Sequence, residues 1–392
     1  MLADKPWSDH KMSTVTRVEL HCFRYPLPVP MKTVFGVVES RPALILRVED
    51  DEGAEGFGEI WCNFPQPGAE YRARLAAAVI PRALAGLDTT SPGHAFSVLR
   101  ARLHRLALQA GEPGPADQIA SGLDIALHDL AARRQGVSLA MFLGGAPRPL
   151  TPYASGIDSR GCAPVIAAAR EAGYRAFKLR IGFGRAATEE AMQEAEGALA
   201  SGETLMVDAN QNWERDEAVA TVRALEAVPL AWIEEPLPVD APLADWQAVT
   251  AASAVPLAGG ENMRSQTEFD AAISGDVFGV IQPDICKWGG LSACAPIARA
   301  IIAAGKRYCP HYLGGGVGLA ASAHLLAAIG GDGLLEVDVN DNPLREGLAG
   351  PLLPLAHAKV RVPDGPGLGY VPDIAGMAGL GVMKLDVTVG AA

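Results

Sequence analysis

The chain opens on an alternation of period two. Thr14 to Arg24 and Ala43 to Ile60 alternate apolar with polar positions, and the second stretch is interrupted by Asp50, Asp51, Glu52 and Gly53. Alternation broken by a polar run ending in glycine predicts strands joined through a hairpin. The spacing then turns helical: from about Ala69 to Leu108, and from Asp117 to Arg134, apolar residues recur at three or four positions, as at Ile119, Leu123, Ala126, Leu127 and Leu130. The opening third is therefore α+β, strands first and helices after. Residues 1–13 read as a loose tail.

A different pattern begins at Leu150. A short apolar strand, a polar or glycine turn and an amphipathic helix follow one another repeatedly, with strand signals near 150–156, 176–182, 204–210, 230–236, 256–262, 279–285, 307–313 and 333–339. The helices between them include Ala163 to Ala172, Asp216 to Ala227 and Leu291 to Ala304. Eight strand signals, each but the last clearly followed by a helix, favour a closed parallel (β/α) barrel over an open sheet. Beyond Pro351 the chain is rich in proline and glycine, and a last strand over Val382 to Val389 is expected to return to the first domain.

Composition narrows the picture. With 392 residues, 49% hydrophobic and 20% charged, the chain is long enough for two domains and too apolar for global disorder. The net charge of −12 argues against nucleic acid or an anionic membrane as partner, and at first sight against an anionic small substrate. No apolar run is long enough to span a membrane, and the charged start MLADKPWSDHKMS does not suit an export signal. Cys22, Cys62, Cys162, Cys286, Cys294 and Cys309 form no C-x-x-C pair, which reads as reduced, cytoplasmic thiols.

The chemistry lies in the polar residues that break the strand pattern. A charged side chain in a buried parallel strand is costly unless it is paired, metal-bound or turned to the open end of the barrel. Lys178 with Arg180, then Asp208, Glu234 beside Glu235, Glu261, Asp284, His311 and Glu336 stand near successive strand ends, at intervals of 30, 26, 27, 23, 27 and 25 residues from Lys178. Each interval is about one β/α unit, so these residues converge on the face where barrel enzymes carry out their chemistry.

Any one of these acids could be an ordinary strand-end ion pair. Asp208, Glu234 and Glu261 on three adjacent strands would repel one another unless a cation lay between them, and an all-oxygen set suits Mg2+. Lys178 and Arg180 share a strand face and point into the mouth, balancing the acids, holding a substrate carboxylate or, for the lysine, releasing a proton. Asp284 and His311 on consecutive strands form a carboxylate–imidazole dyad, with His311 as catalytic base or acid. His128, His324 and His357 read as structural. Glu336 either contacts a substrate oxygen or pairs with Lys178, and Asn210 is a substrate contact two residues beyond Asp208.

The stretches from Ala120 to Gly145 (ASGLDIALHDLAARRQGVSLAMFLGG), FKLRIG at Lys178, VDANQNW at Asp208, WIEEP at Glu234, GGEN at Glu261, QPDICKWGG at Asp284 and CPHYLGG at His311 together resemble the enolase superfamily, mandelate racemase subgroup, over almost the whole chain. The resemblance implies an α/β protein with a modified (β/α)8 TIM-type barrel over residues 148–350. It also implies an α+β capping domain over 14–135, completed by 352–392. One Mg2+ per subunit would be held by Asp208, Glu234 and Glu261, for removal of the proton alpha to a carboxylate through an enediolate. Asp284 with His311 matches the His–Asp dyad of this subgroup, whereas relatives resembling muconate cycloisomerase carry a lysine in place of Asp284.

One departure bears on the reaction. Where mandelate racemase has K-x-K this chain has Lys178-Leu179-Arg180, and arginine is a poor proton acceptor. Racemisation needs an acid and a base on opposite faces of one carbon, while dehydration can proceed with His311 alone. The expectation is therefore a hydro-lyase that dehydrates an aldonic or aldaric acid to a 2-keto-3-deoxy acid. The alternatives are a racemase or epimerase of a 2-hydroxy acid and a non-catalytic anion-binding barrel. A zinc hydrolase would call for an H-x-H pair on an early strand, which the chain lacks. By the same resemblance, loops near Met31 to Glu39 and Trp61 to Pro67 cover the mouth, with Phe35, Trp61, Asn63 and Phe64 shaping the pocket and Trp213 and Tyr312 joining from the barrel. A homo-oligomer, dimer or octamer, is implied.

Overall fold

The computed structural model describes residues 12–390. Of the tail expected over residues 1–13, residues 1–11 lie outside the described residues, and Ser13 is held in place: the Thr89 backbone N–H donates to its carbonyl at 2.8 Å.

The first part is a sheet backed by helices. β1 (Val15–Thr33), β2 (Gly36–Asp50) and β3 (Glu55–Ile60) precede α1 (Gly68–Leu84), α2 (Pro92–Ala110), α3 (Pro113–Arg134) and the short α4 (Leu139–Phe142). The helical stretch expected over 69–108 is thus two helices, divided before Pro92, which suits a first helical turn because its missing N–H has no helical partner there. β3 lies directly on α3 because both surfaces are stripped to the backbone. A Cβ at Gly58 would strike the Gly122 carbonyl, and one at Gly56 the Ala126 carbonyl.

The second part follows with β4 (Pro149–Leu150), β5 (Pro152–Asp158), α5 (Cys162–Glu171), β6 (Ala176–Arg180), α6 (Arg185–Ala198), β7 (Thr204–Asp208), α7 (Arg215–Ala224) and β8 (Leu230–Glu234). It continues with α8 (Leu243–Ala252), β9 (Leu257–Gly259), α9 (Gln266–Ser274), β10 (Phe278–Ile281), α10 (Gly290–Ala303), β11 (Arg307–Tyr308), α11 (Gly316–Ile329), β12 (Leu335–Asp338) and α12 (Pro343–Leu348). Then β13 (Val360–Arg361) pairs antiparallel with β4, and β14 (Gly381–Thr388) pairs antiparallel with β1. The last strand therefore returns to the first sheet, whose order is β14–β1–β2–β3.

The eight parallel strands run in the order β11–β10–β9–β8–β7–β6–β5–β12. The sheet curls as a barrel, but the expected closure by a complete hydrogen-bonded ladder is not observed. Between β11 and β12 the strands are not paired; instead the Leu334 backbone N–H faces Cys309 Sγ at 3.3 Å, and Tyr312 N–H donates to Glu336 Oε2 at 3.0 Å. The strands are also shorter than expected, because Pro236, Pro283 and Pro310 follow β8, β10 and β11 closely and cannot donate to a ladder.

Inside the barrel, side chains stack in layers two residues apart. Tyr153, Ala176, Met206, Trp232, Ala258, Val280 and Cys309 form a dry floor. Two residues further along β6, β7 and β8 come Lys178, Asp208 and Glu234, all buried. The apolar floor fixes the charged layer above it at the C-terminal ends of the strands. All six cysteines are free and buried, and among the described residues no helix is long and apolar enough to cross a membrane.

Candidate active site

The charged layer faces a cavity of about 460 Å3 between the barrel mouth and the first sheet. Lys178, Arg180, Asp208, Asn210, Glu261, His311 and Glu336 line it from the barrel, and Phe35, Trp61, Asn63 and Phe64 from the cap. The cap residues form a continuous wall, with the Phe64 ring 5.6 Å from Phe35 and 6.4 Å from Trp61. Asn63 Nδ2 donates to the Leu313 carbonyl at 2.6 Å, fastening this wall to the loop after His311.

Lys178 sits in a cage of acids. Its Nζ lies 2.5 Å from Glu234 Oε1, 2.8 Å from Glu336 Oε1 and 3.7 Å from Asp208 Oδ2. Burial opposes the charge, but Glu234 and Glu336 outweigh it and hold the ammonium well above its ordinary pKa. The carboxylates around it favour its charged form. Its pairing with Glu336 is formed, and Glu336 also accepts from Ser155 Oγ at 2.5 Å.

His311 is fixed from both ring nitrogens. Nδ1 lies 2.8 Å from Asp284 Oδ2 and Nε2 2.9 Å from Glu261 Oε2. Asp284 Oδ1 in turn accepts from the backbone of Cys286 at 2.7 Å and of Lys287 at 3.1 Å, which locks the carboxylate that orients the imidazole. Burial works against the imidazolium, but Glu261, Glu336 and Asp284 together hold it well above the usual histidine range.

The three acids proposed as ligands show the repulsion their types predict. Burial, with Glu234 and Glu261 adding to it, pushes Asp208 up to about 7. Glu234 is held by Lys178, by Trp232 Nε1 at 3.0 Å and by Gln282 Nε2 at 2.7 Å. Glu261 faces His311 and also Lys287 Nζ at 3.1 Å, and these cations keep it well below the usual carboxylate range despite its burial. With these side chains turned to their cations, no trio of His, Cys, Asp or Glu among the described residues converges on one point as a ligand set. The donor chemistry nevertheless fits a hard dication: three buried carboxylates, an all-oxygen set.

Arg180 lines the cavity one layer above Lys178. Its Nη2 donates to the Gly156 carbonyl at 3.1 Å, its Nε has no partner, and burial lowers its pKa against the pull of Asp338. Asn210 lies past the end of β7 with a left-handed φ of 47°, so it reaches the cavity through a turn and not through strand alternation.

Two expected pocket residues do not reach the cavity. Trp213 is 2% exposed within the barrel–helix core. Tyr312 is turned behind the mouth, its hydroxyl donating to the Gly315 carbonyl at 2.7 Å and its ring packed on Gly318. Both are aromatic residues beside site motifs, and sequence alone does not say which side of a turn they take. Residues to which the sequence reading gave no role also appear. Glu235 is buried at a φ of 42°, accepts from Asn262 Nδ2 at 2.9 Å, and is pushed well above the usual carboxylate range by burial with Glu261 and Asp208 nearby. Arg41, Ser155, Lys287, Asp338 and Asn340 line the cavity as well. For Asp338 a signal existed, since it stands two residues beyond Glu336 on the same strand face.

With this geometry in view, the comparisons with known proteins are specific. Residues 15–144 match the mandelate racemase / muconate lactonizing enzyme N-terminal domain, and residues 163–376 the enolase C-terminal domain-like family. D-galactarolactone cycloisomerase of Agrobacterium fabrum is 30% identical over 371 residues, 91% of this chain and 95% of that protein. L-talarate/galactarate dehydratase of Salmonella typhimurium is 32% identical over 267 residues, 66% of this chain and 64% of that protein. A solved mandelate racemase/muconate lactonizing enzyme from Bordetella bronchiseptica RB50 superposes with a TM-score of 0.87 at 46% identity, covering 94% of this chain and all of that one. A racemase from Streptomyces coelicolor A3(2), solved with bound magnesium, gives a TM-score of 0.83 at 27% identity over 94% of this chain and all of that one. The chain belongs to the mandelate racemase / muconate lactonizing enzyme family of the enolase superfamily.

Proposed function

We propose that this protein is a Mg2+-dependent hydro-lyase that removes water from an acid sugar to give a 2-keto-3-deoxy acid. The observation that carries the reading is which side chains at the mouth can carry a proton. His311 is fixed by its own carboxylate, with Asp284 at 2.8 Å. The second cation of β6 is Arg180, a poor proton carrier where mandelate racemase has a second lysine.

Asp208, Glu234 and Glu261 would hold the metal, and when bound it supplies positive charge for the oxygens of the enediolate. Lys178 presents its cation to the substrate carboxylate, and Glu336, paired with Lys178 at 2.8 Å, accepts from a substrate hydroxyl. His311 moves the proton through Nε2, either taking it from C2 or giving it to the departing 3-hydroxyl. Asp284 keeps the opposite nitrogen protonated and the ring aimed. The rings of Phe35, Trp61 and Phe64 line the cap side of the cavity. The dehydratase relative supports this reading; the cycloisomerase relative shows that cycloisomerisation also occurs in the family.

The test is a screen of aldonic and aldaric acids with Mg2+, reading keto acid with semicarbazide. Keto acid formation that stops on chelation and returns with Mg2+ is expected. Exchange or inversion at C2 with no keto acid would instead make the protein a racemase or epimerase.

A further inference from the structure

Above the Lys178–Glu336 layer the cavity has a second charged layer, to which the proposed chemistry gives no contact with the substrate. Arg180 and Asp338 stand two residues further along β6 and β12, about 6.6 Å at 3.3 Å per residue. There Arg41, from β2 of the cap, reaches across the mouth, and its Nη2 donates to Asp338 Oδ2 at 2.7 Å. Asp338 Oδ1 is filled from the other side by Asn340, whose Nδ2 donates at 2.6 Å and backbone N–H at 3.1 Å.

Three properties set this layer apart. The cavity-lining charges here are two guanidinium groups and one carboxylate, so one positive charge is in excess. Arg41 is 6% exposed, and the Nε of Arg41 and the Nε of Arg180 are buried donors with no partner. A buried, unpaired guanidinium donor is costly, and a planar fork of this kind matches a carboxylate. The layer is also held open from the barrel side: Gly156, at φ +78°, leaves the space that a Cβ would take from Asp338 and Asn340.

We infer that Arg41 and Arg180 form a distal carboxylate site, with Asp338 as the bracket that spaces them, and that the substrate is therefore a diacid of the aldaric class. The inference rests on the proposed placement of the reacting carboxylate at Lys178. One carboxylate lies in the Lys178 layer and the other in the Arg180 layer, so the substrate spans the cavity along the barrel axis. Because Arg41 comes from the cap and Arg180 from the barrel, a bound diacid also ties the two parts together.

The test separates binding from turnover. The His311→Asn protein with Mg2+ is titrated calorimetrically with galactarate against galactonate, and with glucarate against gluconate, each pair differing only in a terminal carboxylate. At least one diacid is expected to bind roughly tenfold or more tighter than its monoacid. Arg41→Met should cut that advantage to below about threefold, and Arg41→Lys should restore part of it. Diacids that bind no better than monoacids, or not at all, overturn the site, as does an Arg41→Met protein that weakens both members of a pair equally. Should Arg41→Met fail to fold, the comparison in the intact cavity decides alone. Diacid preference without keto acid from the wild-type protein would sink the dehydratase reading and leave the site standing. Keto acid from monoacids with no diacid preference would do the reverse.

Discussion

Two sets of buried acids and imidazoles, one at the seam between cap and barrel and one at the barrel mouth, are partnered in opposite ways. At the seam, backbone groups do most of the work. Asp129 accepts from the backbone of Leu368 at 2.7 Å and of Phe57 at 2.9 Å, with Arg133 Nε completing the set at 2.8 Å. Glu59 accepts from Gly315 at 2.6 Å and Gly318 at 2.9 Å at the start of α11. His324 accepts from the Ala140 N–H at 3.2 Å and faces the Leu368 carbonyl at 3.1 Å. At the mouth, by contrast, backbone N–H groups reach only one oxygen each of Asp208, Asp284, Glu336 and Asp338, the other oxygen faces an ionisable side chain, and Gln282 Oε1, Arg41 Nε and Arg180 Nε are left without partners.

The same residue types therefore do different work. A buried carboxylate whose oxygens are filled by backbone N–H groups is a structural fastening, because its partners cannot leave without unfolding the chain. A buried carboxylate whose partner is a lysine or histidine side chain can exchange that partner for a ligand. The seam should be read through stability and the mouth through rate.

The sharpest way to break this comparison is at His311. His311→Asn should lower turnover by about 10^3-fold, in the middle of the range for general acid–base catalysis, while with Mg2+ present thermal unfolding shifts less than it does for a seam variant. Steady-state assay beside a melting curve checks both halves. Equal loss of stability would place His311 with the seam.

Asp129→Ala makes the complementary cut. Removing one partner of a buried, multiply bonded charge costs about 3–5 kcal/mol, so denaturant unfolding should show a loss of that size. Turnover per folded molecule should stay near wild type, since Asp129 does not reach the cavity. A variant that is stable but inactive would contradict the division.

His324 supplies a pH version of the same test. Burial depresses its imidazole to about 4 from an ordinary 6.5, so as pH falls the unfolded chain takes up the proton first. Its contribution is fully present above pH 6.5 and is lost between there and about pH 4, amounting to about 3 kcal/mol. Unfolding titrations across that window should slope for the wild type and flatten for His324→Gln.

The smallest effect is expected at the cap wall. Asn63→Ala removes one hydrogen bond to the Leu313 carbonyl, worth about 1 kcal/mol. It should appear as a raised KM with kcat little changed.

Much of the mouth was legible in sequence because barrel geometry converts intervals of 23–30 residues into spatial neighbours. Lys178, Asp208, Glu234, Glu261, Asp284, His311 and Glu336 follow that rule. The strand floor beneath them also follows, since period-two alternation sets which residues face inward. What was hidden depends on pairs that no local pattern encodes. Arg41 and Asp338 meet although 297 residues separate them. The cage of acids around Lys178 requires knowing that β7, β8 and β12 converge on one nitrogen. Trp213 and Tyr312 lie beyond strand ends, where side-chain direction is set by the turn, and the unpaired β11–β12 edge depends on how short β11 is.

The central claim is that His311 moves the proton of a reaction that ends in loss of water. Its most direct test is incubation with Mg2+ and aldaric acids in D2O, following deuterium at C2 and C3 and keto acid in the same sample, for wild type and His311→Asn. The wild type should yield 2-keto-3-deoxy acid carrying solvent deuterium at C3, and His311→Asn should form it about 10^3-fold more slowly. C2 exchange without keto acid, or keto acid at an undiminished rate from His311→Asn, would contradict the account.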